Sequence, residues 1–181
     1  VKSAQHGYGQ SFAQAQAGLG LGESSPIKYN YVDNDSADGM VCEFVTGQKL
    51  IFSRGDKYWY GSCGERFDGE RGWAAAADGY SEPDVSSPEL LRQFDEVVGE
   101  YVARTGRALD HMRNFLDCVK SREEPVANAR VMHHSMCTVH AANICMWLER
   151  DLEFDPVTET FVNDDEANRL RSRAYREPWV I

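Results

Sequence analysis

No stretch of the 181-residue chain approaches the roughly 20 consecutive apolar residues that span a bilayer. Val1 to Gln10 also lack the basic and then apolar order of a secretory leader, so no membrane partner is expected. Positive charge is scarce as well. Nineteen Lys and Arg stand against 29 Asp and Glu, and the resulting net charge of -10 repels phosphate backbones, which excludes nucleic acid from the expected partners. The five cysteines, Cys42, Cys63, Cys118, Cys137 and Cys145, are odd in number and contain no C-x-x-C pair. A disulfide framework or zinc ribbon is therefore not expected, and free thiols fit a reducing, cytoplasmic setting. A dinucleotide fingerprint is missing too. Gly18-Leu19-Gly20-Leu21-Gly22 has no strand before it and no helix after it, so it reads as a loop rather than a phosphate cradle.

What is present suffices for a core, at 42% hydrophobic and 11% aromatic residues. Residues 1–26 are rich in Gly, Ala, Gln and Ser and read as a poorly structured or truncated lead-in, with a short helix across Phe12 to Ala17 at most. From Ile27 the pattern changes to short β-type runs: Ile27 to Val32, Met40 to Val45, Leu50 to Ser53, Tyr58 to Tyr60, Arg66 to Asp68 and Trp73 to Ala76. Tight turns at Thr46-Gly47-Gln48 and Asp68 to Gly72 imply an antiparallel meander in one sheet.

Beyond Tyr80 the pattern is helical. Ser87-Pro88-Glu89 supplies a cap, a first-turn proline and an early acid, and the helix that follows has Leu90, Leu91, Phe94, Val97, Val98, Tyr101 and Val102 on one face until Gly106. A second helix from Asp110 carries Met112, Phe115, Leu116 and Val119 on the side that packs. A third, about 128–150, is apolar nearly all round and so is expected to be buried on more than one side. Asn163-Asp164-Asp165-Glu166 resembles a capping box for a short last helix. Strands followed by helices give an α+β class: one domain over residues 27–181, with a mostly antiparallel open sheet and helices on one face. The other sheet face would then carry Phe, Trp, Tyr and Ile side chains, for which a homodimer or higher homo-oligomer is the expected cover.

The run His111-Met112-Arg113-Asn114-Phe115-Leu116-Asp117-Cys118-Val119-Lys120-Ser121-Arg122 resembles a signature of the Gfo/Idh/MocA oxidoreductases. His133-His134-Ser135, Val139-His140-Ala141-Ala142-Asn143-Ile144, Trp147-Leu148, Phe154-Asp155-Pro156, Asp164 to Arg169 and Tyr175 to Trp179 follow the same family in order. The likeness is strongest to a bacterial subgroup with a long C-terminal tail. It extends from about residue 40 onward and takes in the hairpin Arg66 to Trp73. Complete members of that family pair an NAD- or NADP-binding Rossmann domain with a C-terminal α/β domain, and this chain resembles the second part only.

The resemblance implies an oxidoreductase of sugars or cyclic polyols that is not self-sufficient for catalysis. It also implies NAD or NADP for a full-length relative, with no cofactor bound by this chain alone. The family's proton-transferring histidine, and the aspartate three places on, fall on Gln10 and Ala13, neither of which does acid-base work. His6, nearby, has no carboxylate at the matching spacing. The alternative is a noncatalytic binding or oligomerisation module derived from the same domain.

Other residues qualify for chemistry by spacing. His111, Arg113 and Asn114 open a helix, where free N–H groups favour an anionic or hydroxylated substrate. The plainer reading is that Asp110 caps the helix and Arg113 pairs with an acid. His133, Cys137 and His140 share a helical face that would ligate a metal if another group arrived, but the favoured reading is core histidines held by packing, with no metal. His134 is expected at a surface or interface. Glu65, Asp68, Glu70 and Asp78 read as a solvated sheet edge, not an acid/base pair. Tyr58, Trp59 and Tyr60 would line a sugar site or a core, since alternation sends Trp59 opposite its neighbours.

Overall fold

The computed structural model describes residues 8–32, 38–53, 64–76, 83–106, 110–174 and 176–178. His6, Tyr58 to Tyr60, Cys63 and Asp78 lie outside the described residues. The elements, in order, are α1 (Tyr8–Gly18), β1 (Lys28–Asn30), β2 (Asp38–Glu43), β3 (Lys49–Ser53), β4 (Glu65–Gly69), β5 (Gly72–Ala76) and β6 (Asp84–Val85). There follow α2 (Pro88–Thr105), α3 (His111–Ser121), α4 (Ala129–Leu148), β7 (Leu152–Asp155), β8 (Thr160–Phe161) and α5 (Asp165–Arg169). The chain divides into two compact units, Val1–Tyr58 with His133–Ile181, and Trp59–Met132. Every pairing among the described residues is antiparallel, and the class is α+β.

The single sheet expected from the sequence is instead two. One has the order β3-β2-β1-β7-β8 and the other β4-β5-β6. The first is a meander only from β3 to β1, and the other edge of β1 is taken by β7, with Tyr29 opposite Leu152 and Lys28 opposite Glu153. Among the described residues β4 pairs only with its hairpin partner β5, the two joined at Gly69 and Gly72. Gly72 is required there: at φ 136 an added Cβ would fall 2.1 Å from the Ser86 hydroxyl, which accepts the Trp73 N–H.

The first unit is built on alternation. Tyr29, Met40, Cys42, Leu152 and Phe154 all face the side covered by α4, where Val139, Ala142, Ile144 and Cys145 complete the cluster. Tyr29 is fully buried at the centre and meets Phe154 edge-on with centroids 6.0 Å apart. The Cys145 thiol donates to the carbonyls of Tyr29 and Arg150 at 3.4 and 3.1 Å, which ties helix to strand. As expected, α4 is buried over a broad arc, from Ser135 and Thr138 round to Ile144, although Trp147 is 55% exposed.

The opposite face differs from the expectation. Of the Phe, Trp, Tyr and Ile expected there, Ile51 alone points outward among the described residues of this sheet. Its neighbours are charged, with Lys28 3.7 Å from Glu153 and Lys49 2.9 Å from Glu43. The physical reason is again the two-residue period, which sends the aromatic side chains to the α4 side.

Residues 8–26 also depart from the poorly structured lead-in expected of them. Phe12 of α1 is buried, with its ring centroid 3.9 Å from that of Phe52. Buried Gln16 donates through Nε2 to the carbonyls of Leu21 and Ser24. The glycine repeat ends the helix: Gly20 takes φ 73 while its N–H reaches the Ala17 carbonyl and the Leu21 N–H the Gln16 carbonyl. That pattern is a Schellman stop, which satisfies carbonyls that would otherwise be orphaned. The low hydrophobic content of the segment hid this role, because two well-placed side chains and a helix stop carry little periodicity.

In the second unit the local signals hold. Ser87 caps α2 through the Leu90 N–H, Pro88 starts it, and Gly106 at φ 66 ends it. Asp110 caps α3 through the Arg113 N–H. The apolar faces, however, are not buried. No residue of α3 is buried, and Phe94, Val97, Met112, Phe115, Leu116 and Val119 are each at least 45% exposed, against the expectation that α3 packs with this side. Among the described residues no helix is long and apolar enough to cross a membrane.

Arg150 closes the C-terminal part by gripping Asp164, and its second nitrogen also reaches Asp164 at 3.0 Å and Glu166 at 3.2 Å. Asp164 in turn accepts the Ala167 N–H and so caps α5. Arg150 and this N–H hold the Asp164 carboxyl down at about 2, below the unfolded-state value of about 3.9. A carboxylate lowered on folding stabilises above its unfolded pKa and loses that contribution as pH falls through both values. Asp164→Asn keeps a capping side chain but removes the charge. Its urea midpoint is expected to fall less than that of the parent between pH 5 and pH 2; parallel acid profiles for the two proteins would contradict this.

Tyr29 generates a second prediction. Its hydroxyl makes no well-formed hydrogen bond, and burial pushes its pKa well up, with the Thr138 hydroxyl acting in the opposite direction. Removing an unpartnered buried hydroxyl is nearly neutral, so Tyr29→Phe is expected to change unfolding free energy by less than about 1 kcal/mol. Tyr29→Ala empties the ring site and is expected to cost about 3–5 kcal/mol. Denaturant titration of both variants checks the contrast.

Candidate functional site

Three groups of residues singled out by sequence have definite places. Gln10 and Ala13 both lie in α1, one helical turn apart. Ala13 is partly buried, and the Gln10 side chain falls outside the described residues.

His111, Arg113 and Asn114 open α3, but their partners are local. The Asp110 carboxylate accepts the Arg113 N–H at 2.9 Å, so the helix start is already capped. Arg113 Nε lies 3.1 Å from Asp117, one turn along the same helix. Asn114 Oδ1 accepts the Val126 N–H at 3.0 Å, which pins the segment that returns toward α4, and its Nδ2 approaches the Cys118 sulfur at 3.8 Å. His111 is exposed. The three side chains thus hold the helix start and the following loop, and among the contacts described they do not converge on one point. Of the acids, Asp68 pairs with Arg66, whose guanidinium also stacks 4.6 Å from the centre of the Trp73 ring.

The third group is the one that converges. His133 and Cys137 lie on adjacent turns of α4, with Cys137 Sγ 3.5 Å from His133 Nε2. The third partner expected from the helix, His140, is exposed and is not in the cluster. Its place is taken by Glu159, whose Oε1 lies 2.5 Å from the same His133 Nε2. Packing does not hold these histidines, contrary to the expectation. The His133 side chain is 54% exposed, because it sits on the flank of α4 away from Thr138 and Val139. His134, beside it, is half-buried and holds the buried Ser25 hydroxyl at 3.2 Å from Nδ1.

Glu159 comes from the turn between β7 and β8. Asp155 organises that turn by accepting the Val157 N–H at 2.8 Å and the Thr158 hydroxyl at 2.8 Å, and the two N–H bonds and the hydroxyl keep its carboxyl below the ordinary range. Glu159 itself takes φ 55, a left-handed backbone uncommon for glutamate. The Asp155-Pro156 pair is legible in sequence as a turn. Which side chain the turn delivers to α4 is not, because that depends on the pairing of Phe154 with Phe161.

The cluster is not arranged as a nucleophile relay. In such a relay the imidazole meets the carboxylate on one nitrogen and the thiol on the other, whereas here both approach Nε2. Burial, and then the charge of Glu159, push the Cys137 thiol up, with Arg171 acting in the opposite direction. The buried thiols of Cys42 and Cys145 are also pushed up by burial, Cys145 to about 12. None of these three has the lowered pKa of an attacking cysteine.

The local role of Asn114 is open to measurement. Asn114→Ala is expected to cost about 1 kcal/mol, the usual worth of one hydrogen bond, and to speed amide exchange at Val126. Arg113→Ala, which removes an exposed ion pair within one helix, is expected to stay within about 0.5 kcal/mol of the parent. Equal losses from the two would contradict the assignment.

No curated protein and no solved structure gives a significant match to the chain. A family does. The profile described as oxidoreductase family, C-terminal alpha/beta domain, that of the Gfo/Idh/MocA proteins, matches residues 87–181, just over half the chain. The matched part begins at the cap of α2 and includes α3, α4, β7, β8 and α5. The hairpin of β4 and β5 lies outside it. By that match the chain belongs to the Gfo/Idh/MocA oxidoreductase family, as a C-terminal alpha/beta domain.

Proposed function

We propose that this chain serves as the substrate and oligomerisation part of an NAD(P)-dependent oxidoreductase acting on sugars or cyclic polyols, and that alone it is not catalytic. The family match over 87–181 carries the reading. Two features support the incapacity. All strand pairs among the described residues are antiparallel, whereas a pyrophosphate cradle needs a parallel strand-helix-strand unit. Gln10 and Ala13, where the sequence resemblance puts the family's proton-transferring pair, lie outside the matched residues and carry no ionisable group. Self-association through the open sheet face belongs to the same proposal, with Val41 opposite Ile51 as its apolar contact amid the ion pairs.

Catalysis is tested by joining the chain to a nucleotide-binding domain of the family and following NADH formation over a panel of sugars and inositols. The isolated chain is expected to leave NAD, NADH, NADP and NADPH unbound in calorimetry. The fusion is expected to bind cofactor but turn over weakly, because loss of a positioned base costs about 10²- to 10⁴-fold. Gln10→His with Ala13→Asp in the fusion is expected to raise the rate. Saturable micromolar cofactor binding by the chain alone would overturn the proposal. A fusion without activity in either form would favour a binding module instead.

A further inference from the structure

We propose that His133, Cys137 and Glu159 form a binding site for a thiophilic divalent transition-metal ion, best fitted by zinc, with water completing the coordination. The inference does not depend on the oxidoreductase reading. Its foundation is convergence: one nitrogen, one sulfur and one oxygen donor from two separate elements lie within 4.8 Å of one another. Zinc takes this mixed set, with bonds of about 2.0–2.1 Å to nitrogen and about 2.3 Å to sulfur. Two such bonds at a tetrahedral angle hold the ligand atoms about 3.5 Å apart, and His133 Nε2 and Cys137 Sγ are 3.5 Å apart already. Glu159 Oε1, at 2.5 Å from Nε2, is hydrogen-bonded and withdraws by roughly 0.8 Å to become a third ligand.

The scaffold favours the same outcome. Cys137 and His133 are one turn apart on a helix that buried Thr138 and Val139 anchor to the core, so the helix backbone sets their spacing. Asp155 and the 2.8 Å contact between the Thr158 and Thr160 hydroxyls shape the turn that carries Glu159. The ion has access, since the His133 and Glu159 side chains are 54% and 35% exposed. Three protein ligands leave one position of a tetrahedron for water. On binding, the Cys137 thiol gives its proton to solvent and its sulfur lone pair to the metal, with no change of oxidation state.

The test uses the full chain without a metal-binding tag, with zinc by calorimetry and cobalt(II) by absorption. One equivalent of zinc is expected to bind saturably and raise the melting temperature. Cobalt is expected to give a thiolate-to-metal charge-transfer band. Cys137→Ser is expected to abolish that band, and His133→Ala and Glu159→Gln each to weaken zinc binding. For Cys137→Ser and His133→Ala the loss should exceed the roughly 10- to 100-fold that follows loss of a mere outer-shell partner. His133→Ala removes an exposed side chain, so its retained fold, checked by circular dichroism, keeps the comparison valid. Absence of saturable zinc binding by the parent would overturn the proposal. So would a cobalt band that survives Cys137→Ser, or zinc affinity unchanged in both Cys137→Ser and His133→Ala, which would place the metal on other cysteines.

Discussion

The first unit depends on one pairing, that of β1 with β7. β1 is three residues long, too short to be stable by itself, yet it occupies the middle of a five-stranded sheet. It survives because both edges are satisfied. The Ile27 N–H reaches the Glu43 carbonyl on one side at 2.8 Å, and the Ile27 carbonyl accepts the Phe154 N–H on the other at 2.9 Å. The same pairing places Tyr29 between Cys42 and Leu152, under Cys145. Burial of side chains such as Tyr29, Phe154 and Phe161, each worth about 1.5–3 kcal/mol, is available only once strands distant in sequence have met.

From that pairing follow the two faces of the sheet. Once Tyr29 points to α4, the two-residue period turns Lys28 and Asn30 outward, and Glu43, Lys49 and Glu153 join them there. It also brings the β7–β8 turn up to the flank of α4, where Glu159 meets His133. Arg150, just after α4, then anchors the cap of α5 through Asp164. Sheet register and the two faces thus rest on one long-range contact, while the α5 cap is local, an Asp164 to Ala167 bond. The family match begins at residue 87, so β7 and α4 are family elements, whereas β1 to β3, against which they pack, lie outside the matched part.

How much of this could be read from sequence follows the range of the interaction. Ser87, Gly106 and Asp110 mark helix ends because a cap bonds to residues three or four places away, and they act where expected. The hairpin at Gly69 and Gly72 is equally local. The single sheet was the wrong expectation because β7 and β8, four and two residues long, carry too little periodicity to announce strands. A meander was then the shortest way to pair what was visible. Likewise helical spacing brought out His133 and Cys137, but it offered His140 as the third partner, whereas the turn supplies Glu159. The exposed apolar side of α3 shows the limit of periodicity: it identifies a face, not what covers it.

The dependence of the first unit on β1 and β7 is most directly tested by amide hydrogen exchange. If that pairing holds the unit together, the Phe154 amide, which bonds to Ile27, and the Ile27 amide, which bonds to Glu43, open only when the unit unfolds. Their opening free energies should then equal that of the Ile144 amide in the buried part of α4. Exchange at Ile27 and Phe154 through a lower-energy local opening, with Ile144 still protected, would show that α4 and the remaining strands stand without β1 and would contradict the account.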